Sequence, residues 1–338
     1  MHIRDAIKTV VAGRDLEQEA AAAVMEAIMS GEATAAQIAA LLTALHLKGE
    51  TDAEIAGMAL VMREKALPVG HEGAVLDTCG TGGDASNTFN ISTVAAFIAA
   101  GAGAVVAKHG NRAMSSQCGS ADVLEGLGVV IDLDAEGVRR CLDKAGIGFM
   151  FAQKFHPAMR YAAPIRSEIG IRTVFNVLGP LTNPAHAQYQ VLGVASATLA
   201  EKLASALSRM GTQHALVVHG TDGVDEISLS APSLVWDVRG GEQPRRFEIS
   251  PETFGIRRAD RASLQGGTVG ENVAIARGIL RGEDRGPRRD VVLLNAAAAM
   301  VAADYAAELP EGLALAAAAL DNGSAMQRLE ALVTASRA

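Results

Sequence analysis

The sequence predicts an α/β protein in which a small helical lobe accompanies a larger lobe with a mostly parallel sheet flanked by helices. Three observations lead to this. Residues 1–72 carry helical periodicity with no strand signal. From Ala74 onward, short β-like runs alternate with helical segments, the pattern of parallel strands joined by covering helices. Two of those runs end in glycine-rich stretches, and the carboxyl edge of a parallel sheet is where such folds hold ligands.

The elements follow in order. Thr34 and Gln37 have capping-box spacing ahead of Ile38, Leu41, Leu42 and Leu45, and Thr51 and Glu54 repeat the device before Ile55, Met58, Ala59 and Met62. Pro68 and Gly70 mark a boundary. Expected strands are Ala74–Cys79, Ala104–Ala107, Val129–Ile131, Gly148–Phe151, Gln190–Val194 and Ala215–His219. Expected helices between them include Val94–Ala100, Ala121–Leu127 and Leu199–Met210. Pro157–Leu178 reads as one long helical stretch without a strand partner, and so rejoins the helical lobe. Ser233–Phe247 reads as a hairpin turning at Gly240-Gly241; Val291–Ala335 is alanine-rich and helical, with no fixed repeat. The expected domains are 1–72 with about 157–187, helical, and 73–156 with about 188–338, α/β.

Composition removes several functional classes. The 338 residues are 49% hydrophobic and 20% charged, enough for a sizeable core. A net charge of −8 argues against a general nucleic-acid binder, and 4% aromatics against stacking on single strands. Cys79, Cys118 and Cys141 are an odd number with no C-x-x-C pair, which disfavours disulfide and zinc frameworks. Met1–Gly13 lacks a signal-peptide layout, and the apolar stretch Thr93–Ala107 is too short to span a membrane, so a reduced, cytoplasmic protein is expected.

The stretch DTCGTGGDASNTFNIST, Asp77–Thr93, places three glycines and a carboxylate after a strand. Glycine loops aim backbone N–H groups at anions, helped by a following helix N-terminus. Gly80-x-Gly82-x-x-Ala85 fits the dinucleotide fingerprint only loosely: Asn90-Ile91-Ser92-Thr93 delays the helix, and the acidic residue about 20 positions on is missing. The Gly-Lys-Ser/Thr of a nucleotide P-loop is also missing. A glycine turn with no ligand remains the plain alternative. A second stretch weighs against it, gathering Lys108, His109, Asn111, Arg112, Ser115, Ser116 and Ser120 beyond another strand, as charge and donors for phosphate. Third, Asp225-Glu226 follow a strand and a glycine turn; adjacent carboxylates want a cation, and Mg²⁺ favours carboxylate, water and phosphate oxygens. An ordinary acidic turn would look the same in isolation.

Together these residues resemble the anthranilate phosphoribosyltransferases. The family's hallmarks stand here as Gly80-Thr81-Gly82-Gly83-Asp84, Asn90-Ile91-Ser92-Thr93, Lys108-His109-Gly110-Asn111-Arg112, Asp225-Glu226 and the segment His156–Pro184, with a small departure at Gln117-Cys118. The resemblance runs from the helical start to the C-terminal region. It implies the fold shared by nucleoside phosphorylases and this type of phosphoribosyltransferase, a free-standing form, and a homodimer through the helical lobes. It also implies transfer of the phosphoribosyl group of phosphoribosyl diphosphate (PRPP) to the anthranilate amine, in tryptophan biosynthesis. By implication the donor is lined by Gly80, Gly83, Asp84, Thr88, Asn90, Ile91, Ser92, Thr93, Lys108, His109, Gly110, Asn111, Arg112, Ala113, Met114, Ser115, Ser116 and Ser120. Anthranilate would meet Gly80, Asn111, His156, Arg166 and Gly179, and two Mg²⁺ ions would be held by Ser92 with Glu226 and by Asp225 with Glu226.

The chemistry suits these residue types. Diphosphate is a good leaving group once its charge is compensated, and an aryl amine attacks without prior deprotonation. No general acid or base is therefore assigned; His109 and His156 are positioning groups, and Asp84 orients the loop or ribose hydroxyls. Two rivals stay open on the residues. A pyrimidine nucleoside phosphorylase, or a relative with another acceptor, shares the plan, and a phosphosugar-binding regulator could share it without catalysis.

Overall fold

The computed structural model describes residues 1–113 and 117–338. Four helices open the chain: α1 (Ile3–Val11), α2 (Gln18–Met29), α3 (Ala35–Lys48) and α4 (Asp52–Glu64). Both expected capping boxes form, on Thr34 and Thr51. Glu54 also accepts the Leu16 N–H at 2.9 Å and pairs with Lys48 at 3.0 Å, so one buried carboxylate ties the α1–α2 connection to α4. Gly57 lets α4 lie on the start of α2, because a Cβ there would stand 2.1 Å from the Gln18 carbonyl oxygen.

The α/β part then runs β1 (Leu76–Gly80), α5 (Ile91–Gly101), β2 (Val106–Gly110), α6 (Ser120–Leu127), α7 (Ala135–Ala145) and β3 (Ile147–Phe151). Short helices α8 (Ala152–Phe155), α9 (Ala163–Ile169) and α10 (Phe175–Leu178) lead to β4 (Tyr189–Gly193), α11 (Ala197–Arg209) and β5 (His214–Gly220). The hairpin β6 (Ser233–Arg239) and β7 (Arg245–Ile249) precedes α12 (Val269–Leu280), α13 (Pro287–Ala302), α14 (Leu309–Asp321) and α15 (Ser324–Ser336). The seven strands are ordered β3-β2-β1-β4-β5-β6-β7; β3 to β5 are parallel, and β6 and β7 close the edge antiparallel. The order reverses between β1 and β4, which pair Gly80 with Gly193 at their carboxyl ends. That reversal opens the crevice in which such sheets bind ligands.

Helices cover both faces. On one, α13 is buried from Val291 to Ala302 between α5, α14 and the sheet, and its alanines with Gly312 of α14 allow close approach: a Cβ on Gly312 would lie 2.6 Å from the Ala297 carbonyl oxygen. On the other, Leu203, Val217 and Trp236 share one core with Met25, Leu41 and Ile55 of the helical lobe and with Phe175 and Leu178. The segment after β3 thus packs with the first four helices.

Several expectations need correction. Val129–Ile131 is a connection, not a strand; its apolar pattern buries Val129 and Ile131 in the α5 core, while the Val130 N–H bonds the Ser336 hydroxyl. Pro157–Leu178 is not one helix, because Gly170 at φ +68° ends α9 and a loop separates it from α10. Lys108 and His109 lie within β2, not in the loop beyond it. Finally, α5 begins at Ile91, so Ile91, Ser92 and Thr93 form its first turn rather than a delay before it.

Candidate active site

The loop leaving β1 is shaped by left-handed backbone. Gly82 and Gly83 take φ +64° and +75°, and so do Ala85 and Asn87, at +54° and +53°, without being glycine. Asp84 accepts the Ser86 N–H at 3.1 Å and Thr88 pairs with Gln265 before the chain enters α5 at Asn90, whose side chain makes no bond to the helix end. The acidic pair arrives from β5. A Cβ on Gly193 would stand 1.6 Å from the Asp225 carbonyl oxygen, and one on Gly80 2.3 Å from its carboxylate, so both strand-end glycines are needed for this approach.

Asp225 accepts the Gly82 N–H at 2.7 Å, and Glu226 accepts the Ser92 N–H at 3.1 Å at the positive end of α5. Asn295 of α13 fixes this segment by bonding both the N–H and the carbonyl of Ile227, at 3.0 and 3.1 Å. Burial and the neighbouring Asp84 raise Asp225, and burial and Asp225 raise Glu226 well above the ordinary carboxylate range. The buried Lys108 ammonium donates to the Thr78 carbonyl and lies 3.5 Å from the Ser92 hydroxyl. Burial lowers its pKa, with Asp77 and Glu226 among the charges that oppose this. Its charge therefore acts from beneath the site.

This donor set fits a hard cation. Asp225, Glu226 and the Ser92 hydroxyl offer oxygens only, and the carboxylates repel one another. Among the described residues no three His, Cys, Asp or Glu side chains gather into a self-sufficient metal cage. Mg²⁺ characteristically takes one or two carboxylates and completes its shell with water and substrate phosphates.

Beside β2, the His109 and His156 rings meet with Nε2 atoms 3.2 Å apart. Burial, with the neighbouring His156, pushes His109 down to about 3, and burial pushes His156 down to about 4. Both are neutral at physiological pH. The His109 N–H is held by Asp77 at 3.2 Å, and Asp77 is fixed by the Asn183 amide at 2.8 Å, which also bonds the Ala107 carbonyl. Arg166 lies 5.1 Å over the Phe175 ring, and burial alone lowers its pKa. It forms no pair with Glu168.

The structure thus brings Gly80, Gly83, Asp84, Ser92, Lys108, His109, His156, Asp225 and Glu226 to one sheet edge. Arg112 is turned elsewhere: Glu125 and Asp122 hold its guanidinium at 2.8 and 2.9 Å and raise its pKa. The Asn111 side chain accepts the Arg112 N–H at 2.8 Å, and Ala113 donates its N–H to Asp122 at 2.9 Å. A Cβ on Gly110 would meet the Ser120 hydroxyl at 2.2 Å. Met114, Ser115 and Ser116 lie outside the described residues. Sequence reasoning missed Asp77, Asn183, Gly193, Asn272 and Asn295. Asn272 donates to Asn90 at 3.2 Å, and Asn90 donates to the Cys118 carbonyl at 3.1 Å, so a partly buried pair of amides ties both loops to the start of α12. A small cavity lined by Thr88, Gln117, Cys118, Gly267 and Asn272 lies along that seam.

A two-lobed protein with a glycine loop and an acidic pair at the switch point of its sheet is a transferase of the glycosyl transferase family: the family's helical bundle domain matches residues 4–66 and its a/b domain residues 72–326. Within that family, the anthranilate phosphoribosyltransferase of Herpetosiphon aurantiacus is 70% identical over 336 residues, covering 99% of each chain. The anthranilate phosphoribosyltransferase of Thermus thermophilus superposes with a TM-score of 0.93 at 48% identity, over 99% of this chain and 100% of that one. The Saccharomyces cerevisiae enzyme, solved in complex with PRPP and Mg, gives a TM-score of 0.90 at 27% identity, over 99% and 98%. The chain belongs to the anthranilate phosphoribosyltransferases.

Proposed function

We propose that this chain transfers the phosphoribosyl group of PRPP to the amine of anthranilate, giving N-(5-phosphoribosyl)anthranilate and diphosphate in tryptophan biosynthesis. The observation that carries the reading is the Asp225-Glu226 pair, set against glycine-loop amides and the first turn of α5 with the Lys108 ammonium beneath it. Gly80, Gly83, Asp84, Thr88 and Asn90 to Thr93 would take the donor's phosphates and ribose, together with His109 to Asn111, Ala113 to Ser116 and Ser120, whereas Arg112 is held by Glu125 and Asp122. Lys108 would offset the buried carboxylates rather than touch the diphosphate. Asn111, Arg166, His156, Gly80 and Gly179 would line the acceptor side, Arg166 offering its guanidinium to the anthranilate carboxylate. The neutral His109–His156 pair would hold the aryl ring in place and move no proton.

Ser92 and Glu226 would hold one Mg²⁺ and Asp225 and Glu226 a second; bound there, Mg²⁺ would offset charge developing on the leaving diphosphate. A homodimer through the helical lobe and a cytoplasmic location complete the reading. The exposed Val11 and Leu47 of that lobe support the dimer. Among the described residues no helix is long and apolar enough to cross a membrane.

The test is direct. With Mg²⁺ and PRPP, purified protein should consume anthranilate, read as loss of its fluorescence together with diphosphate release. Excess chelator should stop both. Phosphorolysis of thymidine or uridine without anthranilate use would identify a nucleoside phosphorylase instead, and PRPP binding without diphosphate release from any acceptor would identify a regulator.

A further inference from the structure

We infer that Arg172 is a further donor-binding residue, a guanidinium sent from the helical-lobe segment onto the diphosphate of PRPP. Arg172 lies just beyond Gly170, the left-handed residue that ends α9, on the same excursion from the sheet that carries Arg166. Its guanidinium sits directly over the glycine loop. A Cβ on Gly83 would lie 2.0 Å from Arg172 Nη1, 3.0 Å from Cζ and 3.2 Å from Nη2. Bare backbone at 83 therefore leaves room for a side chain delivered from another part of the chain, besides serving a φ of +75°.

The charge around it says what it could hold. Arg172 takes part in none of the ion pairs formed by arginines among the described residues, whereas Arg112 on the neighbouring loop is held by two carboxylates. Beside it, the Gly82 N–H is taken up by Asp225. The loop thus has an acidic side, at Asp225 and Glu226, and a cationic side, at Arg172. A diphosphate with Mg²⁺ on the acidic side presents its remaining oxygens to the other, where a guanidinium's planar donors suit phosphate.

This inference rests on the phosphoribosyl transfer proposed above, and its test separates the two. Titrate wild type, Arg172→Ala and Arg172→Lys with Mg²⁺ and inorganic diphosphate by calorimetry, then with Mg²⁺ and PRPP, and measure steady-state kinetics for both substrates. Loss of a charge-assisted contact should weaken diphosphate and PRPP binding about ten- to a hundred-fold in Arg172→Ala. Arg172→Lys should recover part of this, and the unfolding midpoint should stay unchanged. The KM for PRPP should rise far more than that for anthranilate, the reverse of the expectation for Arg166→Ala. Wild-type affinity for diphosphate in Arg172→Ala would overturn the inference, and so would a lowered unfolding midpoint with donor affinity intact, which would make Arg172 a strut. If wild type itself binds neither diphosphate nor PRPP, the transferase reading fails with it.

Discussion

Single side chains at this site divide into those whose chemistry is carried by their type and those that act only through distant partners. Arg166 is of the first kind. Its half-buried guanidinium lies over Phe175 with no carboxylate on it, so Arg166→Ala should lower kcat/KM for anthranilate about ten- to a hundred-fold and leave PRPP affinity nearly unchanged. Steady-state kinetics in both substrates check this; an equal loss for PRPP would remove Arg166 from the acceptor side. The two histidines give a second expectation. Burial holds His109 and His156 to about 3 and about 4, below the ordinary 6.5, so their stabilising contribution is complete above pH 6.5 and is lost as pH falls toward those values. Between pH 7 and 5 each should cost about 2 kcal/mol of folding stability as the unfolded chain takes up protons. Urea unfolding of wild type and His156→Asn at both pH values would show it, because the variant should lose less. Asp225 and Glu226 stood out in the sequence because an adjacent carboxylate pair suggests its own chemistry, whereas Arg166 was reached only through the family resemblance. Asp77, Asn183 and Asn295 were not legible: each bonds residues far along the chain, and Asn295 reads in sequence as one polar residue in an alanine helix.

At the scale of elements, the sheet's carboxyl edge depends on glycines doing different jobs. Gly82 needs only its left-handed φ of +64°, and a Cβ there would have nothing within 4 Å; a Cβ on Gly193 would meet the Asp225 backbone at 1.6 Å. Gly82→Ala should therefore cost about 1–2 kcal/mol of stability and keep the acidic segment in position. Gly193→Ala should push Asp225-Glu226 off the loop and weaken binding of Mg²⁺ with diphosphate at least about tenfold, since the clash is with backbone that cannot rotate away. Calorimetry on both variants decides it; equal diphosphate affinities would make Gly193 a simple strand-end residue. Local signals suffice for both N-terminal capping boxes and for the β6–β7 hairpin. Elsewhere tertiary burial imitates a local pattern. Val129 and Ile131 alternate with an exposed Val130 as a strand would, yet they pack a loop into the core. Lys108 and His109 look like loop residues because they are polar, but β2 carries them because the site above it can bond them.

Across the whole molecule, the two lobes are not separate hydrophobic units. Leu203, Val217 and Trp236 from the sheet side share a core with Met25, Leu41 and Ile55, so the helical lobe is built on α11 and the sheet behind it. The apolar periodicity of the first helices announced a lobe, while the residues it leans on lie far down the chain and carried no local sign of that use. Most of the lobe's apolar surface is spent on this internal core, but Val11 and Leu47 are left 70% and 80% exposed at the ends of α1 and α3. These two side chains are exposed apolar groups of the lobe on which the proposed dimer interface can be tested. Leu47→Glu combined with Val11→Glu should then turn a dimer into a monomer in sedimentation equilibrium at micromolar concentration. A charge buried against an apolar partner surface is costly, whereas the same substitutions on a free surface change folding by about 0.5 kcal/mol or less. Each protomer should keep its far-ultraviolet circular dichroism and its affinity for diphosphate with Mg²⁺, because neither residue belongs to the candidate site. A variant that stays dimeric would move the interface away from the ends of α1 and α3, and a wild type that is already monomeric would remove the dimer from the reading.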